Sequence, residues 1–280
     1  MNEHPIGTII EAQRACQTRV WINSVGIINT IRDVDKASRR DWETNGTGNL
    51  GRWGNHRFIQ TASHVIHPNA KLSDLRFFWR PYGDDKYLSD SDLRADHVTN
   101  GVCIKDPNAT IHRCAWEDLA IITISPTEAG PHSEFVDVAT EWVEPAVKET
   151  VHVFGFPCDR HIVVDDRDVS PTRREVTVAI RPEIFSGEVI ASPNFPTKDF
   201  VADRHYLVPY DHPTSKHPSG FSGAAAWWEP AEPKQVWRPN FKFAGVCTHC
   251  YENRNPILER IVKASVVHKF LQEVLGNPVP

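Results

Sequence analysis

The sequence predicts a mainly β protein built of antiparallel barrels, and three observations lead there. Short runs rich in β-branched and aromatic residues outnumber helical patterns. Prolines and glycines, 21 and 15 of them in 280 residues, fall between those runs as punctuation rather than inside them. Only two stretches space their apolar residues as a helix would. Together these favour short antiparallel strands closing into two barrels over an alternating βαβ array.

The predicted strands are 19–28, 58–62, 119–124, 151–156, 175–180, 224–228 and 241–247, each bounded by turn formers. The helical stretches are 7–16 and 258–275; the second sets Ile261, Val262, Val266, Val267, Phe270 and Leu271 largely on one face. Pro126, Gly130, Pro131 and Pro145 interrupt any regular element over 127–148, which reads as a connector. The chain therefore divides into an N-terminal barrel, 1–140, and a C-terminal barrel with the helix, 141–280. Residues 81–110 read as a polar surface loop, and the Pro-rich 229–239 as the link between two hairpin strands. Asp84, Asp85, Asp90, Asp92 and Asp96 in the first loop lack the glycine and terminal glutamate of a calcium hand, so a solvated loop is expected.

Thirty-one basic against 36 acidic side chains leave a charge of −5, which gives no footing for nucleic acid or an anionic membrane surface. No stretch approaches the about 18 apolar residues of a membrane span, and Met1 to Pro5 lack a secretory leader, so a cytoplasmic location is expected. Six scattered cysteines do not make a disulfide scaffold. Cys247 and Cys250 form a C-x-x-C around His249, but without a second ligand pair no metal is expected there.

The chemistry-bearing residues are Ser222, within Gly220-Phe221-Ser222-Gly223, His64, ending Thr61-Ala62-Ser63-His64, and Asp118, opening Asp118-Leu119-Ala120. A serine hydroxyl attacks a carbonyl only when an imidazole takes its proton and a carboxylate holds that imidazole in the right tautomer. The resulting oxyanion needs preorganised backbone N–H donors, and Gly220 permits a turn that aims its own amide and that of Ser222 at one point.

At these residues the chain resembles the chymotrypsin/trypsin-like serine peptidases, in motif and in motif order. Residues 57–64 match the strand ending in Thr-Ala-x-His, 117–122 the aspartate with alternating apolar residues, 220–223 the Gly-x-Ser-Gly turn, and Gly245-Val246-Cys247-Thr248 the strand that follows. The resemblance spans most of residues 40–270. It implies two antiparallel β-barrels with the active site in the cleft between them, and a C-terminal helix packed on the second barrel. It implies a serine endopeptidase acting through an acyl-enzyme without a cofactor: His64, Asp118 and Ser222 catalytic, Gly220 and Ser222 the oxyanion hole. A protein or peptide substrate would pair with the strand at 245–248, its side chain flanked by Lys216, His217, Thr248, His249 and Cys250. An acidic side chain on the acyl side of the cleaved bond is the expectation from Lys216 and the histidines.

The α/β-hydrolase elbow fits poorly, because Ala224 replaces its last glycine and no aspartate follows Ser222. Two departures from the resembled pattern matter. Phe221 stands where zymogen-activated relatives carry an aspartate, so activation by N-terminal cleavage is not expected, and restraint would come either from narrow specificity or from a regulatory protein partner that reshapes the loops around Ser222. Ala224 stands where a second glycine is usual, which places the oxyanion turn in question and keeps open a non-catalytic peptide-binding module.

Overall fold

The computed structural model describes residues 23–29, 44–78, 97–100, 104, 106–125, 135–157, 162–170, 173–180, 183–193, 195, 197, 199–210, 218–229 and 241–278. The expected helix 7–16, the five aspartates of the acidic loop, most of the Pro-rich link, Lys216 and His217 lie outside the described residues.

The fold is mainly β: among the described residues, two curled and chiefly antiparallel sheets, a smaller three-stranded sheet and one α-helix. The first sheet comprises β1 (Ser24–Asn29), β2 (Thr44–Trp53), β3 (His56–Thr61), β4 (Leu75–Phe78), β6 (Ile111–Arg113) and β7 (Ala120–Ile124) in the order β4-β1-β2-β3-β7-β6. A short β8 (Val136–Asp137) adds in parallel to β2. Alternation in β3 and β7 drives Ile59, Ile122 and Ala120 into this barrel's own core with Val25, Ile27, Leu50 and Phe77.

The second sheet comprises β9 (Thr150–Gly155), β12 (Glu183–Glu188), β13 (His205–Tyr210), β14 (Ala225–Trp228), β15 (Lys242–Tyr251) and β16 (Ile257–Lys263) in the order β12-β9-β14-β15-β16-β13. A bridge between Ile190 and Leu207 brings its two ends together. Residues within the stretch read as a polar loop instead form β5 (His97–Asn100), which pairs with β11 (Arg173–Ile180) beside β10 (Ile162–Ser170).

The expected helix 258–275 begins later: α1 runs Ala264–Leu275, and residues 257–263 are β16. Leu258 to Val262 are all buried, because one face of β16 turns Ile261 into the second barrel's own core and the other turns Val262 into the core shared with the helix. Burial on both faces, Glu259 and Arg260 included, removes the apolar and polar alternation that marks a half-exposed strand, so periodicity alone does not separate β16 from the helix that follows. Helix α1 buries Val266, Val267, Phe270 and Leu271 in a core shared by both sheets, with Trp53, Phe58 and Leu119 from the first and Phe154, Trp227 and Val262 from the second. The helix thus seats on the seam between the barrels as well as on the second one. Trp53 Nε1–H donates to the Gly276 carbonyl at 2.8 Å, fixing its end. No described helix is long and apolar enough to cross a membrane.

Candidate active site

His64 sits in a single 3₁₀ turn, Ser63–Val65, at the end of β3. Arg113 of β6 fastens this turn by donating from Nη1 to the carbonyls of Ser63 (2.8 Å) and Ile66 (3.1 Å). Asp118 lies in the loop between β6 and β7, closed by a Cys114 N–H to Leu119 carbonyl bond of 2.9 Å. The Asp118 carboxylate takes two hydrogen bonds from His64, one from the backbone N–H at 3.0 Å and one from ring Nδ1 at 2.6 Å. Nδ1 therefore carries the proton, and Nε2 presents a lone pair on a ring whose side chain is half exposed. Burial opposes ionisation of Asp118, but the two His64 hydrogen bonds and the Arg260 charge outweigh it and hold the carboxyl below its ordinary range.

Ser222 is presented by a turn of the second barrel that the first barrel holds in place. Thr47 of β2 donates its backbone N–H to the Ser222 carbonyl at 2.8 Å and its hydroxyl to the Gly220 carbonyl at 2.8 Å. Asn49 Nδ2 donates to the Gly223 carbonyl at 2.8 Å. Gly220 and Gly223 have φ of 101° and 87°, and a Cβ at Gly223 would meet the Thr47 carbonyl oxygen at 2.0 Å. Ala224 fits an ordinary backbone here: its N–H donates to the Phe221 carbonyl at 2.8 Å, and its carbonyl accepts the Cys247 N–H at 2.8 Å. Among the described residues none accepts the N–H of Gly220 or of Ser222. Phe221 is fully buried against Phe185 (5.1 Å) and Tyr210 (5.9 Å), which gives the turn an apolar anchor.

The structure thus brings His64 and Asp118 into contact, and no hydrogen bond joins Ser222 Oγ to His64 among the described residues. Thr248 is buried, its hydroxyl oxygen accepting N–H groups of Arg260 at 3.2 and 3.1 Å. What this strand offers outward is backbone: β14 pairs with β15 only as far as Val246, Thr248 sits at a bulge, and among the described residues His249 to Tyr251 pair with β16 alone. His249 is exposed, its pKa lowered by partial burial and then by the Arg260 charge, so it adds little positive charge near neutrality.

Cys250 is half-buried, and Cys247 Sγ–H donates to Glu259 Oε2 at 2.9 Å. Burial and the neighbouring Glu259 push both thiols up, which disfavours the thiolate that metal binding or disulfide exchange requires. Among the described residues Cys114, Cys247 and Cys250 are free thiols.

No protein-family model and no curated protein matches the chain. Solved structures do. Human heparin-binding protein is similar at 11% identity over 94% of this chain and 95% of its own, with a TM-score of 0.51. A structure from work on how aromatic interactions drive the coupled folding and binding of the intrinsically disordered Sesbania mosaic virus VPg protein matches at 14% identity over 89% and 90%, with a TM-score of 0.43. The fold is chymotrypsin-like. At these identities the likeness speaks for architecture alone.

In this chymotrypsin-like fold several supporting residues escape sequence reading. Thr47 and Asn49 lie in β2, Thr-Asn-Gly-Thr-Gly-Asn-Leu-Gly-Arg-Trp, whose glycines and asparagines hide a strand. Glu117, Arg204, His205 and Arg260 look like ordinary charged residues, and only the adjacency of Glu117 to Asp118 is visible in the sequence.

Proposed function

We propose that the chain is a serine endopeptidase that hydrolyses a peptide bond through an acyl-enzyme. The observation that carries this reading is the 2.6 Å contact of His64 Nδ1 with Asp118 Oδ2. The Nδ1–H is committed to Asp118, leaving Nε2 free to accept a proton, and the Ser222 turn presents beside the serine two amides that no described residue accepts.

His64 Nε2 takes the hydroxyl proton as Ser222 Oγ bonds to the scissile carbonyl carbon, and the carbonyl oxygen becomes an oxyanion held by the Gly220 and Ser222 N–H groups. Collapse breaks the C–N bond, and the leaving amine receives the proton from His64. Water then repeats the sequence on the ester and frees Ser222. Asp118 stabilises the imidazolium in both halves without itself taking the proton. The substrate backbone pairs along the open side of Thr248 to Tyr251, a mode giving affinity with little sequence reading.

Intact-mass labelling with a fluorophosphonate tests the reading: one adduct on the wild type, none on Ser222→Ala or His64→Ala. The second reading, a peptide-binding module, is favoured by one feature, the absence of a Ser222 to His64 hydrogen bond among the described residues. A wild type that binds extended peptides yet takes no adduct, alone or in cell lysate, would establish it in place of the first. An adduct in lysate alone would point to gating by a regulatory partner.

A further inference from the structure

A largely buried hydrogen-bonded clamp centred on one carboxylate holds the Asp118 loop from behind and crosses from one barrel to the other. We propose that Glu117 is a positioning residue of this site, acting through the Asp118 backbone to fix the His64–Asp118 pair. Its kinetic consequence rests on the serine-peptidase reading; its structural content does not.

The two oxygens of Glu117 serve different elements. Oε1 accepts the Asp118 N–H at 3.1 Å, and Oε2 accepts from His205 Nε2 at 2.9 Å. The Val201 N–H donates to His205 Nδ1 at 2.9 Å, so the proton of a neutral His205 must sit on Nε2 and point at Glu117. Arg204 adds a second hold, donating from Nη1 to the Trp116 carbonyl at 2.8 Å and lying 3.5 Å from Glu117 Oε2. Both side chains of the Glu117–His205 pair are nearly inaccessible, 6% and 2% exposed. Glu117 belongs to the first barrel, and Arg204 and His205 to the second, which also carries Ser222.

An ionised Glu117 beside Asp118 is an expensive way to fill space, since adjacent carboxylates repel and burial penalises both. The surroundings offset this: His205 and Arg204 contact Glu117, His64 contacts Asp118, and the Arg260 charge favours both carboxylates. Burial opposes ionisation of Glu117, but His205, the Asp118 amide and Arg260 still hold it below its ordinary range. What a carboxylate supplies that an apolar residue would not is a directional acceptor for the Asp118 N–H. That amide sets the loop backbone, and the backbone sets where the Asp118 carboxylate meets His64.

Glutamine cannot replace Glu117 faithfully. If its carbonyl accepts from His205, its amide NH₂ confronts the Asp118 N–H, donor against donor; the reverse orientation confronts His205. The experiment compares wild type, Glu117→Gln and Arg204→Met by three readouts: fluorophosphonate inactivation at saturation and half-saturation, thermal unfolding, and the far-downfield NMR resonance of the short His64 Nδ1–H···Asp118 bond. The expected result for Glu117→Gln is a saturating rate lower by about 10- to 100-fold, with half-saturation unchanged and the downfield proton lost or broadened while the fold persists.

A wild-type rate and an unchanged downfield proton in Glu117→Gln would overturn the proposal. So would a rate loss that appears only where the protein has melted. If Glu117→Gln does not fold, Arg204→Met removes only the half-exposed outer hold; a loss of about three- to tenfold at constant half-saturation sustains the proposal and wild-type behaviour ends it. A wild type that takes no adduct counts against the peptidase reading alone, because the downfield proton, compared between wild type and Glu117→Gln, still decides the clamp.

Discussion

Asp118 concentrates the electrostatics of the site, since its two oxygens meet both the backbone and the ring of His64. Replacing it with asparagine leaves the shape and inverts the donor pattern at Nδ1, which favours the wrong imidazole tautomer. The expected loss in fluorophosphonate labelling rate is on the order of 10⁴-fold, the size the serine-protease template shows for this change. The same residue makes a statement about pH. Its folded-state pKa is depressed, so its stabilising contribution is complete above the ordinary aspartate range near about 3.9 and is lost as pH falls through the lower folded value. Urea midpoints of wild type and Asp118→Asn should therefore differ at pH 7 and converge on acidification; a gap that persists in strong acid would mean the stabilisation has another source. These residues were legible because their signatures are local. Thr-Ala-x-His, Asp-Leu-Ala and Gly-x-Ser-Gly each fit inside one turn or strand end, where the chemistry dictates neighbours as well as the reactive group.

The supporting elements were legible in proportion to how locally their structure is decided. Strands β7, β9 and β14 are short apolar runs between breakers, and they lie within a residue or so of expectation. Strand β16 was hidden because burial on both faces erased its alternation, and β2 because its cross-barrel duties are met by Thr47 and Asn49 rather than by apolar side chains. A contact such as Thr47 to Gly220 spans 173 residues, and nothing near either end announces it.

The β15–β16 hairpin holds another feature that sequence alone conceals, a buried carboxyl at Glu259. Burial pushes its pKa up to about 7 against the thiol hydrogen bonds of Cys247 and Cys250, and its Oε1 has no hydrogen-bond partner among the described residues. A folded-state pKa raised in this way gives stability that is full below the unfolded value near about 4.3 and lost as pH rises through about 7. Glu259→Gln should match wild type near pH 4 and exceed it at pH 8 by on the order of 2–4 kcal/mol, read from urea unfolding. An equal offset at both pH values would show that Glu259 does not ionise on unfolding. This carboxyl lies across from Cys250 in the register, beside the strand read as the substrate edge. An acidic cleavage preference resting on Lys216 and the histidines therefore has a counterweight, and a peptide library profiled on wild type and Glu259→Gln measures it.

At the scale of the molecule, the two barrels are joined by reciprocal holds rather than by a simple cleft. The first barrel fixes the Ser222 turn through Thr47 and Asn49, while the second fixes the Asp118 loop through Arg204 and His205. Beneath both runs one apolar core drawing on both sheets and on α1. Neither half can keep its share of the site once the other has opened, so unfolding should be a single cooperative event in spite of the two-sheet architecture. Calorimetry should show one transition whose calorimetric and van't Hoff enthalpies agree. Phe270→Ala supplies the sharper form of this test. Phe270 is buried in α1, distant in sequence from every residue of the site, and its truncation should cost about 3–5 kcal/mol. If the holds are reciprocal, the variant keeps one transition at a lower temperature, and Ser222 labelling disappears at that same temperature. A split into two transitions, with labelling following only one of them, would mean that the barrels fold independently and that the cross-barrel hydrogen bonds orient the site without coupling its stability.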